Sequence, residues 1–296
     1  MLDKLEMFIA LAREAHFGRA AASLGITQPT LSTGIKQLED QLGVQLVFRA
    51  SRFGGLTPEG QTALVWARKI VGDARQLREE MRFKREGLSG QLRLAVIPTA
   101  LTWVARLASE FGKKHPNVRF TILSRTSVEI LSMLDNLEID AGISYLDNEP
   151  MGRVSTEPLY EERYMLVCAR SSPFSKRDSV GWNEIGGARL SLLTPDMQNR
   201  RIINRNFAAV DTTPETWIES NSTIVLAAMV ERGDSLTILP EDMAEFLAQR
   251  RSFALVPLHG PEPAHSVGLV APYREPHTPV LDALMRTARN MSKSGR

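Results

Sequence analysis

The apolar periodicity of this chain changes once, at Gly87-Leu88-Ser89-Gly90, and that change limits what the chain can fold into. Before it, apolar residues recur at helical spacing. After it, short β-rich runs alternate with amphipathic stretches. The small and polar tetrapeptide between the two regimes reads as a flexible linker. The sequence therefore predicts a helical N-terminal part and an α/β C-terminal part with mostly parallel sheet.

In the first part, Leu5, Phe8, Ile9 and Ala12 predict a helix over residues 3–15. GRAAASL (18–24) predicts a short second helix, which Gly25 ends. Thr27 is placed to cap a third helix, Pro29 is tolerated in its first turn, and Gly43 stops it after about Gln41. Two helices joined by a tight Gly-containing turn make a helix-turn-helix pattern. FRASRFGGLTP (48–58) reads as a small hairpin, or wing, turning at Gly54-Gly55. Thr57-Pro58-Glu59 then opens a long helix to about Arg85. Its apolar positions Leu64, Ala67, Val71, Ala74 and Met81 form a stripe that either packs on the chain itself or, at least as readily at this length, makes a seam for a second copy.

The third helix carries the functional signal. Leu31, Ile35, Leu38 and Leu42 fall on one face of a helical wheel. Pro29, Thr33, Lys36 and Gln37 fall on the other, with Thr30 and Ser32 at its flanks. The first face anchors the helix. The second is small at its start and polar throughout, which suits approach to base edges in a DNA major groove. Gln28 has the amide geometry for an adenine, and Thr30 suits a thymine methyl or a phosphate. Arg19 on the second helix, with Arg49 and Arg52 on the wing, can grip the backbone and fix register. Charge agrees in sign: residues 1–90 hold 13 Lys+Arg against 10 Asp+Glu, or +3, while the whole chain is +2.

Beyond the linker, strands are predicted at 92–97, 119–123, 140–144, 164–169, 235–240 and 267–272, and helices at roughly 101–114, 127–137, 222–232, 241–249 and 278–291. They suggest two halves, one containing 92–162 and the other 164–265, with the last strand and helix returning to the first. In two-lobed α/β domains, ligands bind at strand-to-helix junctions. Thr99, Thr126, Ser127, Thr194, Asn221 and Ser222 occupy such junctions, and Tyr145 can form a wall. The cluster points to a small anion such as a carboxylate. Arg125 and Arg200 read as solvated surface residues.

FGRAAASLGITQPTLSTGIKQLEDQLGVQLVFR, followed by LTPEG, resembles the winged helix-turn-helix of LysR-type transcriptional regulators nearly position by position. LRLAVIPTA, EIDAGI and GDSLTILPEDMA resemble the rest of that family in layout. The resemblance implies a winged helix-turn-helix over 1–58, a dimerising linker helix over 59–86, and a two-lobed effector domain over 87–296, similar to periplasmic binding proteins. One lobe is expected from about 91–162 and 266–296, the other from about 163–265. The resemblance further implies that Thr27, Gln28, Pro29, Thr30 and Ser32 contact DNA, with Arg49 as the wing arginine; the outer face adds Thr33 and Lys36 as DNA contacts, Lys36 supplying charge. Thr99, Ala100, Thr126, Ser127, Tyr145, Thr194, Asn221 and Ser222 match effector-cleft positions. Many members carry a long polar or basic pair where this chain has Thr33-Gly34. The implied partners are promoter or operator DNA, a small-molecule effector, and one or three further copies of the chain in a homodimer or homotetramer, with RNA polymerase as a candidate.

Other classes are disfavoured. Cys168 is the sole cysteine, so no intrachain disulfide can form, and its apolar surroundings read as core. The N-terminus has charges interleaved through it, unlike a signal peptide, and no apolar run approaches a membrane span, which points to the cytoplasm. No GxSxG, HExxH, GxxxxGK[ST] or GxGxxG stands in a suitable setting, and His16, His115, His259, His265 and His277 are scattered. Neither an enzyme nor a bound cofactor or metal is expected. A solute-binding protein, which the α/β part alone would suit, is the alternative.

Overall fold

The structure, a computed structural model, describes residues 1–49, 53–147, 151–249, 253–261, 264–273 and 276–294, with the backbone only for Arg49 and Ser294. The chain forms two compact units. One holds Met1–Gly87 with the short segments Met133–Glu138 and Pro276–Pro279, and the other holds the remainder.

The first unit begins with α1 (Leu2–Glu14), α2 (Phe17–Ser23) and α3 (Gln28–Leu42). Strands β1 (Val47–Arg49) and β2 (Phe53–Leu56) pair antiparallel as the wing; Gly54 and Gly55, expected at its turn, lie inside β2 instead. Helix α4 (Pro58–Glu86) closes the unit. Thr27 caps α3 and Thr57 caps α4, each with Pro in the first turn. Gly25 and Gly43 end α2 and α3 in left-handed conformation, at φ 67° and 71°. His16 is a cap that the sequence reading missed: its Nδ1 accepts the backbone N–H groups of Gly18 and Arg19. The core gathers Phe8 and Leu11 of α1, Ala20 and Ala21 of α2, Leu31, Ile35 and Leu38 of α3, and Ala67 and Val71 of α4.

Two expectations are corrected here. Leu42 is 44 % exposed and does not belong to the apolar face of α3, which Glu39 completes instead at 5 % exposure. The seam expected for a second copy is mostly internal, because Ala67 and Val71 pack into the core. Met81 of that seam is exposed, and beside it on α4 run the exposed residues Trp66, Ile70 and Leu77.

The second unit has two larger sheets. Strands β3 (Gly90–Val96), β4 (Val118–Ser124), β5 (Ala141–Tyr145), β6 (Val154–Glu162) and β13 (His265–Pro272) form one sheet in the order β4-β3-β5-β13-β6. Strands β7 (Tyr164–Ala169), β8 (Val180–Gly181), β11 (Thr237–Pro240) and β12 (Phe253–His259) form the other, in the order β11-β7-β12-β8. A parallel pair, β9 (Leu190–Leu193) and β10 (Thr216–Ser220), adjoins it through a bridge from Leu190 to Leu236. The helices are α5 (Leu101–Lys114), α6 (Ser127–Asp135), α7 (Trp182–Ile185), α8 (Gln198–Ala208), α9 (Thr223–Glu231), α10 (Glu241–Ala248) and α11 (Pro279–Ser294).

The sheets are mixed, not mostly parallel. β3 runs parallel to β4 and β5, whereas β13 is antiparallel to β5 and β6, and β7 is antiparallel to β11 and β12. Helical crossovers produce the parallel pairs. The chain crosses between the two sheets at Arg163, which alone separates β6 from β7, and crosses back between β12 and β13.

Candidate functional site

Two groups of residues stand out. The first is the outer face of α3. Gln28, Pro29, Thr30, Ser32, Thr33 and Lys36 are all exposed, opposite buried Leu31, Ile35 and Leu38. The Thr27 hydroxyl shares a 2.9 Å hydrogen bond with the Thr30 hydroxyl and accepts the Thr30 N–H at 3.4 Å, fixing the helix start. Arg19 is exposed, and its Nη2 donates to the carbonyl of Glu14 at 2.7 Å, which holds the guanidinium beside the end of α1. Arg49 lies on β1 with its side chain outside the described residues, and Arg52 lies outside them altogether. Gly34 does not join the outer face. It is buried against α1, and a Cβ there would stand 2.3 Å from Sδ of Met7. A long basic residue at this position would therefore face the protein interior and not a duplex.

The second group lines a narrow cleft in the α/β unit, whose cavity is about 10 Å³. Ile97, Pro98 and Thr99 follow β3, Thr126 and Ser127 follow β4, and Tyr145 ends β5. From the other side come Leu193, at the end of β9, and Met197, Gln198 and Asn199 at the start of α8. Of the expected effector residues, Thr99, Thr126, Ser127 and Tyr145 meet here. Thr194 follows lining residue Leu193 but does not itself line the space, and Ala100 is fully buried beside Thr99. Asn221 and Ser222 sit before α9, away from the lining. Gln198 and Asn199 were missed, because no helix was expected at 198–208 and their place opposite Thr99 and Ser127 shows only in three dimensions.

Behind the lining is a buried polar network. Glu162 Oε1 accepts the phenol O–H of Tyr145 at 2.5 Å and of Tyr164 at 2.8 Å, and Asn199 Nδ2 makes a long 3.5 Å hydrogen bond to the Tyr164 oxygen. Burial pushes the Glu162 carboxyl up to about 7, against the pull of the donors Tyr145, Tyr164 and Asn199, while the nearby charge of Asp147 adds a smaller upward push. Thr99 Oγ1, Ser127 Oγ, Thr194 Oγ1, Asn199 Oδ1 and Glu162 Oε2 are buried and lack hydrogen-bond partners. Buried polar atoms normally find a partner in the protein or in ordered water, which sets these five apart.

Of the two arginines read as solvated surface, Arg200 is not. Arg200 is 7 % exposed and fully engaged by the carbonyl of Leu193, Glu219, Thr216 and Asn204. Arg125 donates to the carbonyl of Ser124. No Lys or Arg lines the cleft, so the expectation of an anion gains no cation here. Cys168 is buried in β7, with its thiol pushed up by burial. Among the described residues, no three His, Cys, Asp or Glu side chains group to hold a metal, and no helix is long and apolar enough to cross a membrane.

A winged helix-turn-helix joined to a two-sheet α/β unit with a polar cleft defines the class: a DNA-binding transcriptional regulator with an effector-binding domain. A family model described as the bacterial regulatory helix-turn-helix protein, lysR family, matches residues 2–61, and one described as the LysR substrate binding domain matches residues 85–293. The chain belongs to the LysR family of regulators. It is 28 % identical over 267 residues to the DNA-binding transcriptional dual regulator OxyR of Escherichia coli (strain K12), covering 90 % of this chain and 87 % of that one. The hydrogen peroxide-inducible genes activator of Pectobacterium carotovorum subsp. carotovorum is likewise 28 % identical, with 90 % and 88 % covered. A full-length OxyR variant from Pseudomonas aeruginosa superposes with a TM-score of 0.73 at 26 % identity, covering 98 % of this chain and 97 % of that one. CbnR bound to its target DNA shares the fold, with a TM-score of 0.62 at 20 % identity, covering 98 % and 99 %. These relatives are regulators, not enzymes.

Proposed function

We propose that this protein reads operator DNA with two or more copies of α3 and changes its action when a small metabolite occupies the cleft. Residues 1–58 bind DNA, 59–86 link and pair the copies, and 87–296 sense the effector, with one lobe from about 91–162 and 266–296 and the other from about 163–265. The observation that carries this reading is the division of α3: Leu31, Ile35 and Leu38 are at most 2 % exposed, while Gln28, Thr30, Ser32 and Lys36 face outward together. Base contacts are assigned to Gln28, Pro29, Thr30, Ser32 and Thr33, and phosphate contacts to Arg19, Thr27, Lys36, Arg49 and Arg52. The exposed stripe Trp66, Ile70, Leu77 and Met81 on α4 supports pairing as a dimer, or as a tetramer built from two dimers. Effector contacts are assigned to Thr99, Thr126, Ser127 and Tyr145, with Ala100, Thr194, Asn221 and Ser222 at the margins. The absence of a membrane-spanning helix among the described residues supports work in the cytoplasm, where RNA polymerase would be the downstream partner.

The peroxide response named for the relatives is not carried over. A sole cysteine that is buried, with its thiol pushed up, offers little thiolate and no partner for a disulfide. The test of the main reading is titration against the intergenic DNA upstream of its own gene and against random duplex, across salt. The expected result is clear preference for the former, with log affinity falling by about 0.9 per phosphate neutralised for each decade of salt. Equal affinity for both would remove the reading.

A further inference from the structure

The polar network behind the cleft fixes which way its hydrogen bonds point. Both phenols donate to Glu162 Oε1. The Tyr164 oxygen has thus given its proton away and faces Asn199 as an acceptor, so the Asn199 amide must turn its NH2 toward Tyr164. Its Oδ1 is then left buried and unpartnered, an acceptor on a residue that lines the cleft.

An anion meets that acceptor, with Glu162 behind it and no Lys or Arg in the lining. A cation meets the start of α8, an eleven-residue helix with no acidic residue in its first turn and no side-chain cap, which brings the positive end of a helix dipole to the same spot. An uncharged group with both an N–H or O–H donor and a carbonyl or hydroxyl acceptor satisfies both: its donor pairs with Asn199 Oδ1 and its acceptor with the free N–H groups of α8. The hydroxyls of Thr99 and Ser127, buried and unpartnered, can serve either role. The cavity itself is narrow, about 10 Å³, far below the roughly 300–1,000 Å³ of sites for drug-sized ligands, so only a small ligand enters it, and only as its walls part.

We propose that the cleft selects a small, uncharged ligand bearing an amide or hydroxyl, and that Tyr164 and Glu162 are positioning residues which set this preference by orienting Asn199. This inference rests on the reading of the cleft as the effector site.

Three probes of matched size separate the classes: lactamide (uncharged), lactate (anionic) and 1-amino-2-propanol (cationic), titrated into the full-length protein by ligand-observed NMR. Lactamide is expected to bind at least about tenfold more tightly than either, the scale of one well-made hydrogen bond. Thr99→Val should weaken all binding, and Tyr164→Phe, which frees the Asn199 amide to flip, should narrow the lactamide preference while leaving the fold intact. Glu162→Gln, which keeps an acceptor for both phenols, should preserve the preference. Tighter binding of lactate or of the amine, lost in Thr99→Val, would overturn the ligand class and leave the cleft standing. An unchanged preference in Tyr164→Phe would overturn the positioning role. Absence of binding by all three probes, or lactamide binding indifferent to Thr99→Val, would remove the cleft itself and the inference with it.

Discussion

Oε1 of Glu39 accepts the backbone N–H of Leu46 at 2.8 Å and reaches that of Val47 at 3.3 Å, so one buried carboxylate ties the end of α3 to the entry of the wing. Replacing it with Leu keeps the volume apolar but strands two buried donors, at about 1–3 kcal/mol each. Glu39→Leu should therefore melt well below the wild type, whereas Glu39→Gln, which retains an acceptor, should lose less. Thermal unfolding followed by circular dichroism measures both, and equal melting of the two variants would contradict the tie.

Base reading and backbone grip predict different losses on α3. Gln28→Ala should cost about 1–3 kcal/mol on the preferred operator and relax choice at one position per half-site. Lys36→Ala should weaken all sequences alike and reduce the salt slope by about one. Affinity measured against an operator library at several salt concentrations checks the division of roles, which identical profiles for the two variants would refute.

Self-association through α4 predicts that charge placed in its exposed apolar stripe separates the copies. Ile70 and Leu77 are 43 % and 59 % exposed and clear of the core that holds Ala67 and Val71. The double variant Ile70→Glu, Leu77→Glu should run as a smaller species in light scattering and lose most of its operator affinity, since two half-sites bind together. An unchanged mass would place the interface elsewhere.

The buried carboxyl of Glu162 predicts a pH dependence of stability with a definite sign. Burial raises it to about 7 from the ordinary 4.5. Between these values the folded chain holds a proton that the unfolded chain has released. The contribution is thus full at pH 4.5 and below and is lost as pH rises through 7. The span corresponds to roughly 3 kcal/mol. Glu162→Gln removes the titration, so its denaturation midpoint should fall less than that of the wild type between pH 5 and 8. Parallel curves would show that Glu162 does not titrate in this range.

The periodicities and turn chemistry of the sequence determined most of the local structure: three short helices, the wing, the long α4, and the ends set by Thr27, Gly25, Gly43 and Thr57 are all local signals. So was the division of α3 into a buried and an outward face, because a 3.6-residue repeat alone separates Leu31, Ile35 and Leu38 from Gln28, Thr30 and Lys36. Family membership was legible for the same reason, as local motifs carry it. Tertiary structure decided what depends on neighbours distant in sequence. Glu39 replaces Leu42 in the core because Leu46 and Val47 present N–H groups to it. Gly34 faces inward because Met7 packs over it. β6 carries Pro158 and several charges and reads poorly as a strand, yet it forms against β13, which arrives more than a hundred residues later. The cleft followed the same rule. Thr99, Ser127 and Tyr145 stood at legible strand ends, but Asn199 and Glu162 acquire their roles only where the sheets bring Tyr145 and Tyr164 together, since burial and hydrogen-bond direction are properties of the packed molecule and not of the residue.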